Sequence, residues 1–285
     1  MALVSDSIET RKVPGAEPVS ARIKRVLGPL GVIGVIILKF LGKIKFILPI
    51  LLKTGGSMVL MVGVYASIWG WKWAAGFVVL LLLHECGHLI VAKWFGLAVS
   101  APMFIPFMGA FIALKEAPRD AWMEACVGIG GPLLGSLAAV VCHLLGLAAN
   151  YPLLIALAWS AYFLNLFNLT PVGMLDGGRI VTALSPWLWL PGFAALAWLS
   201  WTHPNFILWI LLLASLPRVI SLFRKRTEEE QRYYEVPPAR RWSMAAMYFG
   251  LIGALVFAMH VSHLQLLDRV DAARQKLQQM GPQVE

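Results

Sequence analysis

Five consecutive residues, His84-Glu85-Cys86-Gly87-His88, hold the pattern with the clearest chemistry. On a helix, residues four apart share a face, so both imidazoles can reach one metal ion. Glu85 then stands beside them, placed to act as general base toward a water activated by that ion. A bland alternative is two structural histidines and a salt-bridged glutamate. That reading is costly here, because apolar residues flank the motif on both sides, Leu80 to Leu83 before it and Leu89 to Ala92 after it. Ionisable groups within an apolar crossing are expensive and functional by default. A metal site is therefore expected.

Two histidines do not complete a catalytic zinc site, which takes three protein ligands and an open position. The candidates for the third are Asp176, Glu116, Glu124, His143 and the pair His260 and His263. Asp176 is the only acid between Glu124 and Glu228, in Leu175-Asp176-Gly177-Gly178 just past a break at Pro171. A lone buried carboxylate is unfavourable unless it is paired or metal-bound. Charge also favours it: a divalent zinc, two neutral imidazoles, one ligand carboxylate and ionised Glu85 sum to zero, as a low-dielectric site prefers. Asp176 could instead cap the following helix or pair with Arg179. The i, i+3 spacing of His260 and His263 suits a helix, and their place near the polar end of the last apolar run suits an interface.

The elements that carry these residues are set by composition. Of 285 residues, 59% are hydrophobic and 14% charged, whereas a soluble domain carries about a quarter charged. A soluble enzyme, a disordered chain, a collagen and a disulfide scaffold are all excluded. No Asp, Glu, Lys or Arg occurs at 125–175, 180–217 or 243–267, and a spanning helix needs about 20 apolar residues. The net charge of +9 does not point to nucleic acid, because the basic residues cluster beside apolar segments, as Arg22, Lys24, Arg25 and Arg224, Lys225, Arg226 do. That is the positive-inside pattern with attraction to anionic lipid.

The fold class expected is an all-α polytopic membrane protein of about six to seven transmembrane helices with a re-entrant β hairpin. Residues 1–28 read as a flexible basic cytoplasmic tail, and 29–53, with four lysines, as an interfacial or additional membrane helix. Residues 54–222 form the core. Within it, Pro102, Pro106, Gly109 and Pro118 punctuate two short apolar runs and favour strands over a helix. A break at Pro171 and Gly173 divides 152–184. A charged linker (223–242), a last crossing (243–267) and a polar tail (268–285) follow. If the N-terminal tail is cytoplasmic, the two strongest basic clusters fall on that side, in a multi-pass protein of the cell membrane.

His84-Glu85-x-x-His88 on one apolar helix, followed by Asn168-x-x-Pro171-x-x-x-x-Asp176-Gly177 on another, resembles the site-2 protease family of intramembrane zinc metalloproteases. The resemblance covers roughly residues 55–222. It implies that His84, His88 and Asp176 bind Zn2+, that Glu85 is the catalytic base, and that Asn168 helps hold substrate or the oxyanion. It also implies a membrane-embedded hairpin at 103–114, where Phe104, Ile105, Gly109, Ala110 and Phe111 would receive an extended substrate strand. Gly130-Gly131-Pro132 is similar to the family's glycine-proline turn, while Leu169 stands where the family often has a proline. The expected partners are a transmembrane protein substrate and the bilayer. A membrane zincin of the prenyl-protein-processing type, with Glu116 or Glu124 as third ligand, is the alternative of the same chemistry. A metal transporter or non-catalytic zinc-binding scaffold is the alternative of another class. Serine and aspartyl proteases are disfavoured, since no G-x-S-x-G occurs and Asp176 has no carboxylate partner in its apolar stretch.

Overall fold

A computed structural model describes residues 55–279. The segments read as a basic tail (1–28) and an interfacial or additional helix (29–53) lie outside them, as does the end of the polar tail. Helix α1 spans Gly55–Trp69 and α2 spans Trp71–Trp94. They are separated by Gly70 alone, at φ +83°. The chain folds back there, so that Met61 and Tyr65 of α1 bury with Ala74, Val78 and Leu81 of α2. The rings of Tyr65 and Phe77 come to 5.8 Å.

The proline-punctuated segment after α2 forms the expected strands. β1 (Met103–Ile105) and β2 (Gly109–Phe111) pair antiparallel with Phe104 opposite Ala110. A bridge between Val99 and Leu114 closes the base. Two bonds tie the hairpin to α1: Phe107 N–H donates to Tyr65 Oη at 3.1 Å, and Phe104 N–H to Ser57 Oγ at 3.3 Å.

Helix α3 (Ala121–Ala148) starts where Asp120 accepts the Met123 N–H at 2.7 Å, an N-cap in the usual manner. It packs against α2 and against three helices that follow it. Ala121, Ala125, Ile129 and Ala139 bury against Leu157, Ala158 and Tyr162 of α4 (Pro152–Asn168) and Ile180 and Val181 of α5 (Asp176–Leu184). Small residues let apolar helices approach without a side-chain barrier. Gly130-Gly131-Pro132, read by resemblance as a turn, lies inside α3. Proline removes one helical hydrogen bond, but opening the helix would strand several polar groups in an apolar surrounding, which costs more.

After a 3₁₀ turn at Pro186–Leu188 come α6 (Trp189–Thr202) and α7 (Phe206–Ser221). The linker contains one short helix, α8 (Glu228–Tyr233), opened by a reciprocal cap between Thr227 and Glu230. Helix α9 then runs unbroken over Pro238–Gln279, through the apolar 243–267 and on into the polar segment beyond it. Helices α2, α3 and α9 (over Pro238–Lys276) are long and apolar enough to cross a membrane. The described residues are thus mostly helical with one small hairpin.

Candidate metal centre

The middle of α2 turns His84, Glu85 and His88 inward, with 2%, 3% and 7% of each residue exposed. One helical turn brings the two imidazoles edge to face, with ring centroids 4.8 Å apart and Nε2 atoms 3.1 Å apart. Asp176 arrives from the other side as the first residue of α5. Its Oδ2 lies 3.2 Å from His84 Nε2 and its Oδ1 3.2 Å from His88 Nε2. A carboxylate is well placed in the first turn of a helix, where the backbone dipole favours negative charge. Glycine follows it by necessity, since a Cβ at Gly177 would run into the Leu169 carbonyl at the end of α4. The break at residues 169–175 therefore lets α5 press back against α4 and aim Asp176 at α2.

The remaining ring nitrogens are also engaged. His88 Nδ1 lies 2.8 Å from the Val127 carbonyl of α3. A carbonyl only accepts, so Nδ1 carries a proton, and in the neutral ring Nε2 presents a lone pair. Gly131 makes room for this ring, since a Cβ there would fall on the His88 imidazole. His84 Nδ1 lies 2.8 Å from Asn165 Oδ1 on α4. Sequence reasoning passed over Asn165; its signal was a polar side chain inside an apolar helix, one turn before Asn168.

With both rings neutral, lone pairs of two imidazoles and a carboxylate converge at 3.1–3.2 Å, an arrangement that a cation among them would stabilise. Tetrahedral ligands about 2.0–2.1 Å from a zinc ion are about 3.3 Å from one another. The donor set and its spacing fit zinc. The Glu85 carboxylate lies within 4.8 Å of the imidazole nitrogens, close enough to exchange a proton with a group held at the centre.

A cavity of about 390 Å³ opens from this cluster, lined by His84, Glu85, His88, Asp176 and Asn168 and by Ile105, Ala110 and Phe111 of the hairpin. A smaller one of about 180 Å³ shares Glu85, Asn168 and Ala110 and adds Gly109, Tyr65 and Phe77. Phe104 lines neither, contrary to its grouping with the other hairpin residues. Its ring is buried with Met61 and Tyr65 instead, because the strand alternation that turns Ile105 to the cavity turns Phe104 to the core.

The other candidate ligands are elsewhere. Glu124 accepts from Arg218 Nη2 at 2.9 Å and from Tyr233 Oη at 2.8 Å. His143 is held between Tyr162 Oη, 3.3 Å, and Gln265 Oε1, 2.7 Å. Glu116, His260 and His263 are exposed. Arg179 lines the larger cavity, and it is the histidines that Asp176 faces.

Residues 72–154, which hold α2, the hairpin and α3, match Peptidase family M50. Zinc metalloprotease MJ0392 of Methanocaldococcus jannaschii is 34% identical over 120 residues, 39% of this chain and 34% of that protein. Rip3 of Mycobacterium tuberculosis is 33% identical over 140 residues, 45% of this chain and 35% of that protein. The chain thus spans about a third of the length of these curated relatives. The solved site-2 protease from Methanocaldococcus jannaschii is 22% identical, covering 63% of this chain and 88% of that one at a TM-score of 0.39, a likeness too loose to carry an argument. The two histidines of α2 lie inside the residues that match this family, whereas Asp176 lies beyond them.

Proposed function

We propose that this chain is an intramembrane zinc metalloendopeptidase that hydrolyses peptide bonds within or near transmembrane segments of membrane proteins. The observation that carries the reading is the convergence of His84 Nε2, His88 Nε2 and the Asp176 carboxylate at 3.1–3.2 Å, with Glu85 beside them and a cavity open in front. His84, His88 and Asp176 are the zinc ligands. When bound, zinc supplies Lewis-acid polarisation of a carbonyl and of water. Glu85 takes the proton of the attacking water and returns it to the leaving amine. Asn168, on the wall of both cavities, donates its amide N–H to the developing oxyanion.

An extended substrate suits the hairpin on one edge only. Phe104 N–H is turned outward from the β1–β2 pair toward Ser57 on α1, so α1 covers that side. Ala110, the partner of Phe104, then has its N–H and C=O on the opposite edge of β2, and it lines both cavities. β2 is therefore the edge for strand addition. The wider architecture follows: a multi-pass protein of the cell membrane, with about six to seven crossings, a re-entrant hairpin and a cytoplasmic N-terminus. The prenyl-processing alternative is disfavoured, since Glu124 is taken by Arg218 and Tyr233 and Glu116 is exposed.

The test uses the purified full chain in vesicles with a single-span substrate protein, following cleavage and bound zinc together. Glu85→Gln should retain zinc and lose cleavage by about 10²–10⁴-fold. Asp176→Ala should lose zinc, and Glu124→Gln should keep it. Cleavage by Glu85→Gln at the wild-type rate, or full zinc occupancy in Asp176→Ala, would overturn the reading.

A further inference from the structure

We propose that Asn165 is a positioning residue that sets the tautomer of His84 and aims its Nε2 at the metal; this rests on the reading above that His84 binds zinc. Asn165 sits on α4 and is 1% exposed. Its Nδ2 donates to the Ala161 carbonyl at 2.8 Å, which fixes which end of the amide faces His84. Reversing the amide would set two acceptor oxygens against each other at that distance. Oδ1 therefore faces His84 Nδ1, at 2.8 Å. An amide oxygen only accepts, so the His84 proton is on Nδ1 and Nε2 is left with a lone pair.

The two ligand histidines thus reach the same state by different means. His88 is set by a backbone carbonyl, Val127, which no substitution of that residue removes. His84 is set by a side chain, so its control can be altered. The α3 face is shaped for the pair: a Cβ at Gly135 would stand 2.6 Å from Asn165 Oδ1 and 3.1 Å from His84 Cβ. Asn165 lines neither cavity described above, so it acts through His84 and not on substrate. Partners that orient a ligand imidazole in this way raise its basicity and its affinity for metal.

The experiment titrates the detergent-purified full chain with zinc against a competing chelator, and records the visible spectrum with cobalt(II) in place of zinc. Asn165→Leu, which has no acceptor, should bind zinc about 10- to 100-fold more weakly and shift the cobalt spectrum. Asn165→Asp, held as the neutral acid with its O–H on the Ala161 carbonyl and its C=O accepting from Nδ1, should hold zinc within a few-fold of wild type. Nitrogen NMR of histidine-labelled, zinc-loaded wild type should place the His84 proton on Nδ1, which decides the matter even if the leucine variant does not fold. Unchanged zinc affinity and spectrum in Asn165→Leu, equal losses in both variants, or a His84 proton on Nε2 would overturn the proposal. A wild-type chain that binds no zinc would overturn the metal-site reading instead.

Discussion

Replacing Arg218 by methionine should destabilise the folded chain by about 2 kcal/mol, a magnitude that follows from what the guanidinium touches. Arg218 of α7 donates from Nη2 to Glu124 Oε1 of α3 at 2.9 Å and from Nη1 to the Gly178 carbonyl of α5 at 3.3 Å. Its guanidinium carbon lies 5.2 Å from the ring centre of Trp189. Methionine preserves the apolar stem over that ring and removes the charge. Gly178 keeps its bond from Trp189 Nε1, 2.8 Å, so little is lost there. The cost falls on Glu124, whose side chain is 10% exposed and which retains only Tyr233 as donor. Breaking a fully buried pair costs about 3–5 kcal/mol. Arg218 is 32% exposed, so water screens the pair and replaces part of the interaction, which brings the figure down to about 2 kcal/mol. At about 2–4 °C per kcal/mol for a chain of this size, the midpoint should fall by about 4–8 °C. Tryptophan fluorescence during thermal unfolding in detergent reads this directly. Adding Glu124→Gln removes the orphaned charge, so the double variant should recover to within about 1 kcal/mol of wild type. A midpoint unchanged by Arg218→Met, or a double variant that falls by the sum of the singles, would refute the reasoning.

Three further outcomes are expected. Gly131→Ala should lose bound zinc, because the added methyl occupies the space of the His88 ring, whereas Gly63→Ala, with nothing within 4 Å of the new methyl, should be neutral or stabilising by up to about 1 kcal/mol; metal analysis and thermal unfolding distinguish them. Ala110→Pro, which removes the outward N–H of β2, should raise KM for a membrane-spanning substrate by about 5-fold while zinc content stays intact, one lost edge bond being worth about 1 kcal/mol. Burial and the neighbouring Glu124 carboxylate push the Tyr233 phenol up from its ordinary value. The folded form therefore holds this proton more tightly than the unfolded chain, and the stability it contributes is present below pH about 10 and lost as pH rises beyond that. Tyr233→Phe should flatten this alkaline loss in a series of unfolding midpoints.

Much of the site was legible because its signals are local. Four-residue spacing is a property of one helix, so the side-by-side placement of His84 and His88 required nothing beyond α2. Breaks are local too: Gly70, the prolines around 102–106 and the Pro171 region end elements through backbone geometry alone, and the observed α1, β1, β2, α4 and α5 respect them. The resemblance misled at one point. It implied a turn at Gly130-Gly131-Pro132, yet α3 continues through it, since neighbouring helices and an apolar surrounding penalise an open backbone more than one missing bond.

The amino-acid sequence by itself determined that this is a chain for an apolar surrounding, that α2 can present two imidazoles and a carboxylate together, and that six other groups compete to join them. Tertiary structure sets one of the six beside the histidines. Asp176 meets the histidines because α5 folds back over the break after α4, while Glu124, equally acidic, is drawn to Arg218 and Tyr233. The same long-range packing brought in Asn165, turned Phe104 away from the cavity and left β2 as the open edge of the hairpin. The physical reason is separation along the chain: His84 and Asn165 are 81 residues apart and share a 2.8 Å contact, and no spacing rule reaches that far.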